Sequence, residues 1–323
     1  MKLSIGVIAY NEQDYLPALL DDLRSQMYPH ELIEIVLVDS MSTDNTYRIM
    51  EEFKANNDFY SVQVLSNPDK IQSAGWNVAI ENFTGDVLAR IDAHAKLTPE
   101  YSVYVMTNID EGENVVGGLR PCIIEKDTNW ANVLLQVENS LFGSSINFSR
   151  RSLGKAYVKT MFHAAYRREV LDNVGLFNEK LLRTEDNEFH YRIRAVGYKL
   201  CYDPRILSYQ YMRSSFKAML SQKSKNGFWI GQTIKVCPQC ISIYHLIPAT
   251  FVLGIVITTL LIPIFWTLSA LMWTLYGSFA ILNSVISVVK NGFYPQSLLM
   301  PFLFLILHVY YGVGTLIGLL SSR

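Results

Sequence analysis

No aspartate or glutamate follows Asp203. All 29 acids lie at or before it, with 20 of the 28 lysines and arginines, so residues 1–203 carry −9 and residues 204–323 carry +8 inside a total of −1. Charge of either sign is absent from 54 consecutive residues, 236–289, and from another 32, 291–322. A bilayer core of ~30 Å needs about 20 apolar residues per helix, so the first run has room for two spans and the second for one. A wholly soluble protein is thereby excluded, and the acidic portion, with its ordinary polar content, excludes a channel built only of membrane helices. The N-terminal run does not read as a cleavable leader: residues 3–9 behind Lys2 are a short apolar run that meets Asn11 and Glu12 with no small-residue cleavage site, so they read as a strand. Cysteine is scarce. Of Cys122, Cys201, Cys237 and Cys240 only the last two form a C-x-x-C, and no second pair completes a zinc tetrahedron. They read as thiols at the membrane surface in a reducing cytosol. No G-x-G-x-x-G follows the first strand, which counts against a dinucleotide oxidoreductase.

What is present in the first 100 residues is an alternation of short apolar runs with longer amphipathic ones. Residues 3–10 read as a strand, 15–26 as a helix with Leu16, Leu19, Leu20 and Leu23 on one face, and 33–38 as a buried strand. Ser42, Thr43 and Asp44 then cap a helix running to about Phe53, followed by a strand at 62–65, a helix at 73–82 and a strand at 87–91. The pattern predicts an α/β fold with a mostly parallel sheet covered by helices. Ligands of such sheets bind beyond the carboxyl ends of the strands. The residues there are Asn11, Glu12, Asp39, Ser40, Asn67, Asp92 and His94.

Residues 1–212 form the expected globular domain. A basic amphipathic segment, 213–243, follows, and then a membrane region, 244–323, of about three helices. Arg205, Arg213, Lys217, Lys223, Lys225 and Lys235 interleave with Phe216, Met219, Leu220, Phe228, Trp229 and Ile230, which suits a helix lying on an anionic leaflet or a solvated connector. Those basic residues place the segment in the cytoplasm. Spans at 246–266, 268–288 and 298–320 then run out, in and out, with Lys290 inside. A re-entrant hairpin in place of the first pair is the alternative, because Pro263 lies mid-run and the turn is tight.

Three places carry candidate chemistry. Asp39 ends a buried strand, where a carboxylate can accept a hydrogen bond from a base or ribose, or cap a helix. Asp92 and His94 project to one side if their segment is extended, and a carboxylate with an imidazole suits a divalent metal whose other ligands are diphosphate oxygens and water. The bland alternative is a hydrogen-bonded His94. Glu185 and Asp186 stand just before an amphipathic helix at 189–196. They read as an ordinary helix start with Thr184, or as a general base within reach of an acceptor hydroxyl.

Together these motifs resemble a family 2 glycosyltransferase of the GT-A fold, similar to the membrane-anchored sugar transferases of succinoglycan-type exopolysaccharide synthesis. The resemblance covers roughly residues 3–235. Ile8, Ala9, Tyr10, Asn11 and Glu12 look like the opening strand motif, and residues 38–46 around Asp39 like the nucleotide-binding turn. Asn67 and Pro68 with residues 71–77, including Ala74 and Asn77, resemble the segment that helps hold the nucleotide. Asp92 and His94 occupy the position of the metal-binding D-x-D, Gly117 and Gly118 begin the next strand region, and Thr184, Glu185 and Asp186 match the acceptor-base motif. Arg213, Ser214 and Ser215 resemble the arginine segment that approaches the diphosphate.

The resemblance implies a nucleotide-sugar donor, a UDP-hexose, held by Ala9, Tyr10, Asn11, Glu12, Asp39, Asn67, Ala74, Asn77, Asp92 and Arg213. It implies Mg or Mn on Asp92 and His94, and inverting displacement with Asp186 as base and Glu185 beside it. The acceptor is a lipid-linked saccharide at the cytoplasmic face of a multi-pass membrane protein, and no nucleic-acid partner is expected. His94 departs from the second Asp of D-x-D and leaves the site less acidic. Gln222, Lys223 and Lys225 match the glutamine- and arginine-rich motif of processive synthases poorly, which favours one sugar per encounter. A processive synthase, a polyprenyl-phosphate sugar transferase and a non-catalytic nucleotide-sugar binder are the competing readings.

Overall fold

A computed structural model describes residues 1–143, 154–213 and 215–322. It divides into two units, one of residues 1–121 and 154–211, the other of residues 122–143 with 212–322 less Ser214. Ser214 of the expected arginine segment lies outside the described residues.

The first unit follows the alternation seen in the sequence. Strand β1 (Leu3–Ala9) leads to helix α1 (Leu16–Arg24), whose buried residues are the four leucines of the expected face. Then come β2 (Ile33–Asp39), α2 (Thr46–Ala55), β3 (Ser61–Ser66), α3 (Gln72–Asn82) and β4 (Val87–Asp92). Helix α2 starts later than its expected cap because residues 42–45 are used otherwise: Asp44 accepts from the Thr46 N–H, and its neighbours bond to the loop after β1. Strands β1, β2, β3 and β4 are all mutually parallel, in the order β3-β2-β1-β4.

Beyond β4 the sheet becomes mixed, as antiparallel strands join the parallel ones. The elements are β5 (Ala95–Leu97), α4 (Tyr101–Asp110), β6 (Val115–Leu119), then in the second unit β7 (Cys122–Ile123) and α5 (Asn129–Asn139). Back in the first unit follow β8 (Ala156–Val158), β9 (Ala165–Arg167), α6 (Arg168–Val174), α7 (Glu185–Ala195) and β10 (Leu200–Tyr211). Strand β9 runs antiparallel between β4 and β6, β10 is parallel to β6, and β5 and β8 pair antiparallel with β10. Period-2 alternation splits β4 between two cores: Val87, Ala89 and Ile91 pack with α1 and α4, while Leu88 joins Trp76, Phe177 and Phe189 on the other face. Arg90 and Asp92 share the face of Leu88.

In the second unit α8 (Phe216–Val236) is followed by α9 (Ile247–Leu260), α10 (Ile262–Asn291) and α11 (Met300–Leu320). Three helical stretches, Ile243–Leu260, Ile262–Asn291 and Pro295–Leu320, are long and apolar enough to cross a membrane. The first division falls at Leu261 rather than near residue 267, because Pro263 sits in the first turn of α10, where its fixed φ and missing N–H do no harm. The helical backbone breaks at Phe265.

Helices α8 and α11 touch backbone to backbone. A Cβ on Gly227 would collide with the Tyr311 carbonyl and one on Gly231 with that of Thr315; from the other side Gly314 meets the Ser224 carbonyl and Gly318 that of Phe228. Successive contacts advance in the same direction, so the two helices run parallel. Gln232 Nε2 donates to the Gly318 carbonyl at 2.8 Å. Helix α5, capped by Thr128, puts Val133, Leu134 and Val137 into one core with Met219, Ala280, Leu303 and Phe304, and Glu138 forms a 2.9 Å ion pair with Lys223. Cys237 and Cys240, expected as thiols, are joined as a disulfide: the turn Pro238–Cys240 after α8 brings their Cα atoms to 5.4 Å.

Candidate active site

The parallel register brings the strand ends to one edge. Ala9 stands opposite Asp39, Asp39 opposite Ser66, and Ile8 opposite Asp92. Two loops at this edge are stitched together. The Asn11 N–H donates to Ser42 Oγ at 3.0 Å, the Thr43 N–H to Asn11 Oδ1 at 2.8 Å, the Glu12 N–H to Thr46 Oγ1 at 2.8 Å and the Asn45 N–H to Gln13 Oε1 at 3.1 Å. Asn11 holds a left-handed φ of 54° in this arrangement, a region that asparagine tolerates better than most residues.

Asp39 is buried and accepts from the Ser42 N–H. Asn67, fully buried, donates from Nδ2 to Ser40 Oγ and the Ile71 carbonyl, while its Oδ1 has no partner among the described residues. Asn77 clamps another loop: Nδ2 donates to the Phe177 carbonyl and Glu179 Oε1, and Oδ1 accepts from the Phe177 N–H. Ala9 and Ala74 are buried, and Tyr10 is exposed. Arg213 is exposed and belongs to the second unit.

Asp92 and His94 do not lie on an extended segment. The chain turns at Ala93 and His94 between β4 and β5, which sends the two side chains to different partners. Asp92 Oδ2 meets Arg120 at 2.8 Å and His163 Nε2 at 3.3 Å; His163 Nδ1 is 2.8 Å from Ser208 Oγ. Burial opposes the charge on Asp92, but the His163 hydrogen bond and the neighbouring cations hold its carboxyl well below the usual range. Burial, then Arg120, push His163 down to about 4, so it is neutral at pH 7. His94 Nδ1 is 3.0 Å from Glu12 Oε1.

Among the described residues no group of three or more His, Cys, Asp and Glu could enclose a metal. The donor chemistry of Asp92 and His94 nevertheless fits a divalent cation that completes its shell with substrate oxygens. Both side chains are partly exposed, at 21% and 27%, and among the described residues the imidazole is engaged through Nδ1, which leaves Nε2 as its remaining donor atom.

Arg90, two residues before Asp92 on the same face, lies between aromatic rings, its Cζ 4.5 Å from the Trp76 centroid and 4.6 Å from that of Phe177. Its guanidinium reaches Glu185 Oε1 at 3.3 Å. Glu185 and Asp186 open α7 rather than preceding it, after Thr184 in the left-handed region at φ 63°. Thr184 therefore makes no side-chain cap; Asp186 Oδ1 accepts from the Asn187 N–H at 2.9 Å. Glu185 is buried and Asp186 more accessible. Burial, then the charge of Asp186, push Glu185 up to about 7 and outweigh Arg90. Burial raises Asp186 as well, with Arg90 opposing.

Arg90, Asp92, Glu185 and Asp186 thus form one electrostatic group. The roles of Arg120 and His163 had no signature in the sequence beyond Arg120 closely following Gly117 and Gly118 at the end of β6.

A sheet edge of this kind, with polar strand ends beside carboxylates at a helix start, is where an α/β sheet takes its ligand. The model for glycosyl transferase family 2 matches residues 4–175, more than half of the 323-residue chain, and the chain belongs to that family. Along its whole length it is 26% identical to the dolichyl N-acetyl-alpha-D-glucosaminyl phosphate 3-beta-D-2,3-diacetamido-2,3-dideoxy-beta-D-glucuronosyltransferase of Methanococcus voltae, covering 99% of this chain and 98% of that protein. It is 28% identical to the succinoglycan biosynthesis protein ExoA of Rhizobium meliloti over 61% of this chain and 59% of that one. Among solved structures, the mannosyltransferase PcManGT of Pyrobaculum calidifontis, in complex with GDP-Man and Mn2+, has a TM-score of 0.62 at 16% identity, with 98% of this chain and 87% of that chain covered. That likeness establishes the GT-A fold.

Proposed function

We propose that this family 2 enzyme moves a hexose from a UDP-sugar, with inversion, to a lipid-linked saccharide at the cytoplasmic face of a membrane. The observation that carries the reading is the placing of Asp186: accessible at the start of α7, with Arg90, Glu185 and Asp92 around it. Asp186 takes the proton of the acceptor hydroxyl as that oxygen attacks the anomeric carbon, while Arg90 holds Glu185 in place. Asp39 and Asn67, at the ends of β2 and β3, take the nucleotide; the Asn67 Oδ1, without a partner among the described residues, supports this. A divalent cation on Asp92 and His94 would neutralise charge building on the departing diphosphate.

A saccharide on a lipid phosphate is the acceptor class in the name of the M. voltae relative, which matches this chain along its full length. The three apolar helices support an acceptor at the leaflet, and the exposed Lys217 and Lys225 of α8 support contact with anionic headgroups, whereas Lys223 is engaged by Glu138. Purified full-length protein in lipid, screened with UDP- and GDP-sugars for nucleotide release with and without a lipid-linked saccharide, tests the reading. Release stimulated by the acceptor is expected, and Asp186→Asn should bind the donor normally yet transfer at least about a hundredfold more slowly. Transfer by Asp186→Asn within a few-fold of wild type assigns the base wrongly; stimulation by polyprenyl phosphate alone replaces the acceptor.

A further inference from the structure

Glu12 belongs to the opening strand motif expected among the nucleotide contacts, and its carboxylate meets His94. Its Oε1 is 3.0 Å from His94 Nδ1. We infer that Glu12 is a positioning residue for the cation, holding His94 as the Nδ1–H tautomer so that Nε2 is presented to the metal. This rests on the assignment of a divalent metal to Asp92 and His94.

Three observations support the role. An imidazole that donates one N–H to a carboxylate is fixed in orientation and made more basic at its other nitrogen, as histidine ligands of metals usually are. The backbone that carries the carboxylate is itself anchored: the Glu12 N–H is bonded to Thr46 Oγ1, Thr46 is fully buried, and the flanking Asn11 and Gln13 are bonded to residues 42–45. Asp92 does not orient His94, because its Oδ2 is directed to Arg120 and His163 across the turn.

The charge count explains why such a partner is needed. Where the D-x-D pattern has two carboxylates, this chain has one carboxylate and an imidazole. Glu12 supplies the missing negative charge from beyond the imidazole ring, through a hydrogen bond to its far nitrogen, so a divalent ion meets the same formal charge through a different first ligand. Glu12 and His94 keep 21% and 27% of their side-chain surface accessible, so the ion can reach the ring without opening the fold.

The test is Mn2+ binding by the full-length protein in lipid nanodiscs with UDP present, read by electron paramagnetic resonance, with UDP affinity measured separately without metal. Wild type should show hyperfine coupling to an imidazole nitrogen, and His94→Ala should lose it. Glu12→Ala should weaken Mn2+ binding about 10- to 100-fold while metal-free UDP affinity stays within twofold. Glu12→Gln, which keeps size and an acceptor oxygen but no charge, should retain the nitrogen coupling with intermediate affinity, and it guards against misfolding of the alanine variant. Mn2+ affinity within twofold of wild type in both Glu12 variants, with His94→Ala impaired, overturns the role of Glu12 and leaves the metal assignment standing. A loss of metal-free UDP binding in Glu12→Ala makes it a nucleotide contact instead. Unchanged Mn2+ binding in His94→Ala overturns the metal assignment beneath it.

Discussion

Arg90 carries more of the site than any signature in the sequence suggested. It is flanked by Trp76 and Phe177, paired with Glu185 and felt by Asp186, so its charge opposes the upward push that burial gives both carboxylates. A base acts only when deprotonated. Transfer should therefore fall as pH drops through the raised pKa of Asp186, at a higher pH than an ordinary aspartate would give. Arg90→Gln should move this acid limb further up, because burial is then unopposed, whereas Arg90→Lys should restore it nearly to wild type. A pH–rate profile decides the matter: a uniform loss of rate with an unmoved limb would leave Arg90 a packing residue. The variant should still fold, since a Glu185 already pushed up to about 7 can take a proton rather than stay buried and charged. Asp92, Glu185 and Asp186 were legible because acids at a strand end and a helix start are local patterns. Arg90 and Arg120 were not, because what makes a cation functional is the partner that folding brings to it, and Glu185 is 95 residues from Arg90.

At the scale of elements, the strands and helices of the first 92 residues could be read nearly to the residue, since each shows one clear period. The misreadings fall where a side chain was claimed by something distant. Residues 42–45 looked like a helix cap and instead bind the loop after β1. The turn at His94 was hidden because nothing in Ala93 or Lys96 announces it. Helix α8 looked like a surface collar from its lysines, yet its Gly227 and Gly231 press on α11 at Tyr311 and Thr315. The four-residue spacing of Gly227 and Gly231, and of Gly314 and Gly318, stood in the sequence, but not that the two pairs meet. Gly231→Leu should destabilise the detergent-solubilised protein, read as a lower melting temperature, by more than the ordinary overpacking cost of about 1–3 kcal/mol, because backbone rather than a flexible side chain stands in the way. Gly277→Leu on α10, where a Cβ would meet nothing within 4 Å, should be nearly neutral. Equal losses from both would mean that α8 and α11 are not in contact.

On the scale of the whole molecule, the split in charge at Asp203 foretold two kinds of environment, with a cut expected near residue 212. Of the two units into which the described residues divide, the second holds residues 122–143 as well as those after Tyr211. An insertion of that sort leaves no mark in composition, because α5 carries the ordinary amphipathic pattern of a surface helix. The chain therefore cannot be divided by shortening it. A fragment ending at Tyr211 would retain α5 while losing α8, α10 and α11, the helices whose Met219, Ala280, Leu303 and Phe304 cover Val133, Leu134 and Val137. Such a fragment is expected to sediment as aggregates without detergent, and Val133→Ser, Leu134→Gln and Val137→Ser together should return it to the supernatant. Anyone seeking a crystallisable catalytic half will have to redesign a helix that the shortened gene still encodes.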